Sequence, residues 1–325
     1  MKIFRFGLAI VHIVIIVLLC GTLLNDYVSP KTFPVFNLLS LAFPVLMILN
    51  VLLIIFWIVL WKKRAIFFIL ASCLFLNPIK RWINYSPKST EKSNLKVVSM
   101  NIKGGTMGRE KVYEYLKNSG ADIVFAQEYG NEFNVPGYAH GTNQYEIVAL
   151  NSKHEIVNQG ELASNGVGNA FFADIKTEHK IIRIVNVYMS PFSFDKQKVK
   201  PGEDLDKNKT KVMYILRKLI PIFKVHQEEV ATIRKAIDES PYPVMLVGDF
   251  NAVPNSYEYY HLGKGLTDAF VEVGRGSSTS FHDYKFPIRI DYIFTSKEIK
   301  PIRYRVDRSI KSSDHFPVIA EFKID

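Results

Sequence analysis

Cysteine is almost missing from this 325-residue chain, and the two present, Cys20 and Cys73, both lie in apolar stretches near the N-terminus. From residue 95 onward there is none, which excludes a disulfide framework and a thiolate metal site in that part. Excess basic charge is missing there too. Residues 1–94 carry 10 Lys and Arg against 2 Asp and Glu, a net of +8, and the remainder carries only +2. Without a basic stripe interleaved with aromatics, that remainder lacks the electrostatic footprint of a protein tracking a polynucleotide backbone. The basic charge instead hugs the apolar segments, where it fits anionic headgroups.

What the first third does have is apolar length. Phe6–Leu24 runs nineteen residues, Val35–Trp61 twenty-seven and Ala65–Leu76 twelve without a charge. A bilayer-spanning helix needs about 20 apolar residues. The first two segments qualify, while the third is short enough to be tilted or interfacial. We expect helices near 6–24, 35–61 and 65–79 within a membrane region of residues 1–83, two to three of them transmembrane. Lys2 and Arg5 also resemble the start of a signal peptide, but the nineteen-residue core exceeds the usual apolar stretch of about 7–15 residues. His12 reads as a tolerated polar residue. The positive-inside rule makes the N-terminus and the 62–64 loop cytoplasmic. If the third segment crosses, everything after it lies outside a bacterial plasma membrane, although Lys80 and Arg81 would then sit on the outer side. Residues 84–94, rich in Ser, Asn, Lys and Pro, read as a tether. Residues 95–325 suffice for one domain with its own core.

Within that domain, apolar strand-like runs repeatedly end in polar residues. Val244–Val247 leads into Gly248-Asp249-Phe250-Asn251; Lys96–Met100 delivers Asn101; Asp122–Gln127 delivers Glu128; Ile181–Val187 delivers Tyr188. Asp291 sits inside an apolar strand, where an unpaired charge would be costly, and Ser312-Ser313-Asp314-His315 precedes the last strand. Strand period two would set Asp249 and Asn251 on one side of the chain, whereas a turn of the Asx type is the blander reading of the same residues. Lys111–Asn118 and Lys211–Glu239 read as helices, the second kinked or divided at Pro221. The polar stretch 192–211 reads as an insertion.

The ordered set Met-Asn, Gln-Glu, Gly-Asp-Phe-Asn, Arg-Ile-Asp-Tyr and Ser-Asp-His resembles the endonuclease/exonuclease/phosphatase superfamily over residues 95–325. The resemblance implies a four-layer α/β sandwich, two stacked mixed sheets flanked by helices, that hydrolyses a phosphodiester or phosphomonoester. It implies Glu128 as the best metal ligand, with Asn101 and Asp314 in support. The hard oxygen donors and the absent cysteine favour Mg²⁺ or Mn²⁺. Asp291 would orient His315, which would contact the phosphate; Asp249 would orient or deprotonate the attacking water; Asn251 would donate to the phosphoryl group. Tyr188 departs from the sphingomyelinase-like and deoxyribonuclease-like branches, which place His there, and resembles the abasic-endonuclease branch. The remaining histidines, His226 among them, read as ordinary surface or core residues. The substrate is left open among lipid, nucleotide and nucleic acid, with membrane lipids met through the N-terminal helices and no obligate protein partner. The alternative class is a non-catalytic, membrane-tethered binding protein that keeps the fold.

Overall fold

The computed structural model describes residues 2–60, 62–162, 168–192, 205–283 and 287–325. Two long apolar helices come first, α1 (Lys2–Leu23) and α2 (Val35–Leu60), both long and apolar enough to cross a membrane. The third apolar segment is broken into α3 (Lys62–Ser72), a 3₁₀ turn and α4 (Leu76–Lys80). At 1.5 Å per residue, α3 alone reaches only about 16 Å. A polar seam holds the three together. The Trp57 indole N–H donates to His12 Nδ1 (3.0 Å), His12 Nε2 meets Asn50 Oδ1 (2.9 Å), and Asn50 Nδ2 donates to Ser72 Oγ (2.9 Å). His12 is thus a fully partnered seam residue, its ring stacked on Phe68.

The rest of the chain forms two six-stranded sheets. One runs β13-β14-β2-β3-β5-β4 (β2 Leu95–Asn101, β3 Ile123–Gln127, β4 His140–Thr142, β5 Val148–Ser152, β13 Ile299–Val306, β14 Val318–Ile324). The other runs β10-β12-β9-β8-β7-β6 (β6 Glu155–Leu162, β7 Asn169–Lys176, β8 Ile181–Tyr188, β9 Val244–Asp249, β10 Thr267–Asp268, β12 Asp291–Thr295). Each is mixed, through the parallel pairs β2/β3 and β8/β9. α5 (Arg109–Asn118) covers the first sheet, and α6 (Leu205–Asp238) with α7 (Tyr257–Leu262) covers the second. This is the four-layer sandwich.

Side-chain alternation assigns each strand residue to a layer. Leu95 and Val97 enter the core between the sheets, while Val98 and Met100 pack under α5. Met245 and Val247 enter the same central core, while Val244 and Leu246 pack under α6. Burying each such side chain contributes about 1.5–3 kcal/mol. Followed to the strand ends, the inward stripes finish at Asn101, Gln127, Tyr188, Asp249 and Asp291, all at one end of the sandwich. Pro221 does not divide α6, which runs unbroken from Leu205 to Asp238. Its flanks are anchored by Leu219, Phe223, Val230 and Ile233, all buried, and that packing outweighs one lost backbone hydrogen bond. Residues 193–204 of the polar stretch lie outside the described residues, and α6 begins directly after them.

The stretch read as a tether is partly held down. β1 (Ile83–Tyr85) pairs with β11 (Arg275–Ser277), and Asn84 Nδ2 donates to the Phe270 and Val271 carbonyls. The helical bundle also docks directly on the sandwich. Asn25 Nδ2 (2.9 Å) and Ser40 Oγ (2.7 Å) donate to the Asn255 carbonyl. Asn37 Nδ2 donates to Glu258, which is ion-paired with the fully buried His226 at 2.8 Å. His226 is therefore part of a latch between the two regions.

Candidate active site

Gly248 sits at φ 134°, and a Cβ there would lie 2.0 Å from the Val187 carbonyl oxygen of the neighbouring strand. Only glycine lets β9 run that close to β8. The strand ends at Asp249. Asn251 follows at φ 47°, its N–H donating to Asp249 Oδ1 (2.8 Å). That is an Asx turn, so the strand spacing of two does not extend to Asn251. Its amide nitrogen donates to the Met189 carbonyl (2.8 Å). Glu128 (φ 48°) and Lys103 (φ 48°) also take left-handed conformations just beyond β3 and β2. Such backbone strain, of order 1–3 kcal/mol each, clusters at working sites.

The two sheets meet at this end through side chains. Asn101 Nδ2 donates to Glu128 Oε1 (2.8 Å) on its own sheet and to Asp249 Oδ2 (3.0 Å) on the other. Its oxygen accepts the Lys103 backbone N–H (3.0 Å), so the amide joins the site as a donor that sets two carboxylates. Directly behind, Gln127 Nε2 donates to Asn186 Oδ1 (2.8 Å), tying the sheets together.

Asp249 and Asp291 stand opposite each other in the β9/β12 register, each about 1% exposed. His315 closes the group: Nδ1 donates to Asp291 Oδ2 (2.9 Å), and Nε2 lies 3.7 Å from Asp249 Oδ2. Burial alone would lower the His315 pKa, but Asp291 and Asp249 more than offset it and hold it at about 9. Burial pushes Asp249 up to about 7, opposed by His315 and reinforced by Asp291. Ligand-type atoms of these three residues lie within 4.8 Å of one another. With His315 Nδ1 donating to Asp291 and its pKa raised by both carboxylates, the trio is better suited to an imidazolium held by carboxylates than to a metal cage. Asp291 Oδ1 is buried without a hydrogen-bond partner among the described residues.

Tyr188 is 6% exposed, its phenol beside Glu128 and Asn251. Burial, then the negative charge of Glu128 and Asp249, raises its pKa far above the ordinary range, so the group stays a neutral donor. Asp314 is half-shielded. Burial would raise its pKa, yet Lys103 and His315 hold it below the usual carboxylate range. Lys103 Nζ is bonded to Asp314 and lies 3.9 Å from Asp283. The structure thus gathers Asn101, Glu128, Tyr188, Asp249, Asn251, Asp291 and His315 at one mouth, and places Asp314 beside it in an ion pair with Lys103. Lys103 escaped the sequence reading. Its signal was its place two residues after Asn101, on the first turn past the strand.

The sequence model of the Endonuclease/Exonuclease/phosphatase family matches residues 98–315. This chain belongs to that family. A second sequence model, for a domain of unknown function, covers residues 2–82. No curated protein matches the chain. Among solved structures, an endonuclease/exonuclease/phosphatase family protein from Bacteroides thetaiotaomicron is 17% identical, with a TM-score of 0.50 over 74% of this chain and 97% of its own. A humanized D. rerio TDP2 with 14 mutations is 14% identical, with a TM-score of 0.53 over 70% of this chain and 98% of its own. An AP endonuclease from Archaeoglobus fulgidus is 19% identical, with a TM-score of 0.51 over 71% of this chain and 100% of its own. At these identities the likeness carries the family's fold. The helical bundle precedes the family match and falls under the second model.

Proposed function

We propose that this chain is a membrane-anchored phosphoester hydrolase that works with a Mg²⁺- or Mn²⁺-type cation. One observation carries the reading: buried, strained and charge-perturbed groups from both sheets converge at a single mouth, a pattern expected of catalytic rather than purely structural groups. Asp249 holds or deprotonates the attacking water. His315, kept cationic by Asp291, faces the phosphoryl oxygens as negative charge develops, the kind of preorganised stabilisation worth about 10²–10³ in rate. Asn251 and the Tyr188 phenol supply neutral donors.

The residues around Glu128 suit a hard cation. Glu128 and Asp314 offer carboxylate oxygens, and no cysteine occurs in residues 95–325. Positive charge is already favoured there: burial would lower the Lys103 pKa, but Asp314, Asp283 and Glu128 raise it. Glu128 would hold the ion, with Asp314 in support and Asn101 fixing the Glu128 carboxylate. When bound, the cation supplies charge neutralisation at the phosphate and the leaving oxygen.

The arrangement of the bundle supports an extracytoplasmic sandwich. Arg64 Nη1 donates to the Arg5 carbonyl (3.0 Å), so the basic start of α1 and the basic start of α3 share one end. The sandwich docks at the other. Arg81, which counted against an outer location, is no free loop charge: it bonds Asn255 Oδ1 (2.7 Å) and lies 4.5 Å from the Tyr259 and Tyr260 ring centres. With the basic end cytoplasmic, the sandwich lies on the extracytoplasmic side.

The test is hydrolysis of bis(p-nitrophenyl) phosphate by the full-length protein with Mg²⁺, with Mn²⁺ and with chelator. Turnover that needs the cation is expected. Absence of cation-dependent turnover, alongside retained binding of phosphoesters, would favour a binding protein instead.

A further inference from the structure

The loops that carry the catalytic groups are the same loops that carry the bundle. Six residues past Asp249 and four past Asn251, the Asn255 carbonyl takes the Asn25 and Ser40 bonds. Two residues past Tyr188, the Ser190 carbonyl meets His226 Nε2 (2.7 Å) within the latch that reaches Asn37. Just before Asp291, Arg289 Nη1 donates to the Arg81 carbonyl (3.1 Å), and Ile290 packs in one apolar cluster with Leu19, Phe43, Phe75 and Trp82. Phe281, packed on that cluster, sets its ring 4.9 Å from the His315 ring. The bundle end therefore abuts the site end of the sandwich.

From these contacts we infer that the catalytic mouth faces the bilayer and that its substrate is the phosphoester head group of a lipid in the same leaflet. The inference rests on the phosphoesterase reading and narrows its substrate. The strand β1 pins the chain that leaves the bundle to β11 of the sandwich. On the other sheet's side of the mouth, the loop after β2 presents Met107 at 46% exposure, with Lys111 and Lys311 exposed close by. An apolar tip flanked by cations suits a headgroup layer, where each basic group adds about 1 kcal/mol of attraction to anionic lipid. A polynucleotide would have to thread between this end and the membrane. The far end, at the β7–β8 turn around His179, is roughly 23 Å away along β8.

Two measurements on the full-length protein test this. The first compares cation-dependent phosphate-ester cleavage of dioleoylphosphatidylglycerol in nanodiscs with that of its soluble dihexanoyl analogue, a DNA hairpin and bis(p-nitrophenyl) phosphate. At least tenfold preference for the bilayer lipid over the soluble analogue and the hairpin is expected. Cleavage of soluble diesters or DNA without the lipid would overturn the inference and leave the phosphoesterase reading standing; cleavage of nothing would end both. The second places a fluorophore at Met107→Cys or His179→Cys in a Cys20→Ala/Cys73→Ala background, in vesicles carrying nitroxide-headgroup lipid. Strong quenching at 107 and little at 179 is expected. Equal quenching, or the reverse, would overturn the orientation.

Discussion

His12 and His315 are both buried imidazoles, one in the helical bundle and one between the sheets. His12 has both ring nitrogens engaged by neutral partners, Trp57 and Asn50, and within α1 to α4 no buried side-chain polar atom of the described residues lacks a partner; the nearest that does is the Trp82 indole nitrogen, just past α4. His315 has a carboxylate on one nitrogen, a second 3.7 Å from the other, and beside it a buried Asp291 oxygen without a partner. The His12 seam is closed on itself and holds helices together. The sandwich's polar groups are left charged, strained and incompletely paired, which costs stability and leaves capacity for a ligand. The difference separates a structural polar network from a reactive one within a single chain.

The largest expected effect falls on the reactive side. His315→Ala and Asp291→Asn should each lower kcat/KM by about 10³, and the double mutant should be scarcely worse than either, because the two act as one unit. Steady-state kinetics on one soluble diester decide it; a double loss equal to the product of the singles would separate them. Next, Glu128→Gln should raise the cation concentration for half-maximal activity by about tenfold or more, with the domain still folded. Calorimetric Mn²⁺ titration showing unchanged affinity would remove Glu128 from the cation site. Smaller still, Tyr188→Phe should cost about tenfold, with the defect equal across leaving groups. A defect that grows with leaving-group pKa would make the phenol an acid.

The buried charges also set a pH dependence. Asp249 keeps its proton up to about 7 when folded, against an ordinary 3.8, so the folded state loses relative stability as pH rises between those values. His315 stabilises the fold below its ordinary 6.5, and that gain is lost as pH rises through about 9. Cation-free protein should therefore melt at falling temperature from pH 5 to pH 9, and Asp249→Asn should flatten the slope. A slope unchanged in that mutant would mean Asp249 ionises normally.

Much of this was legible in the sequence because strand alternation is a local rule. Runs such as Val244–Val247 announced β9, and the inward stripes of β2, β8, β9 and β12 ended in residues that the sequence already singled out, while that of β3 ended at Gln127, one residue before Glu128. The sandwich followed from the same runs and from the family resemblance. What the sequence hid depends on turns and on distant contacts. The Asx turn at Asn251 was one of two local readings and is the one the structure takes, whereas the ion pair between Lys103 and Asp314, the latch of His226 with Glu258 and Asn37, and the pairing of residues 83–85 all join segments whose proximity no local pattern encodes. Pro221 does not divide its helix for a related reason: its local cost was visible, and the packing that keeps the helix continuous was not.

The central contrast is tested most directly by one paired measurement, thermal unfolding and soluble-diester turnover for His12→Ala and His315→Ala in the same detergent. His12→Ala should lower the melting temperature by several degrees, as expected when buried partners lose their bonds at about 1–3 kcal/mol, and keep turnover within about threefold. His315→Ala should nearly abolish turnover, and near pH 8 it should also lower the melting temperature, because it removes the cation that offsets the buried Asp291 and Asp249. Equal losses of turnover in the two mutants, or full turnover without His315, would contradict the account.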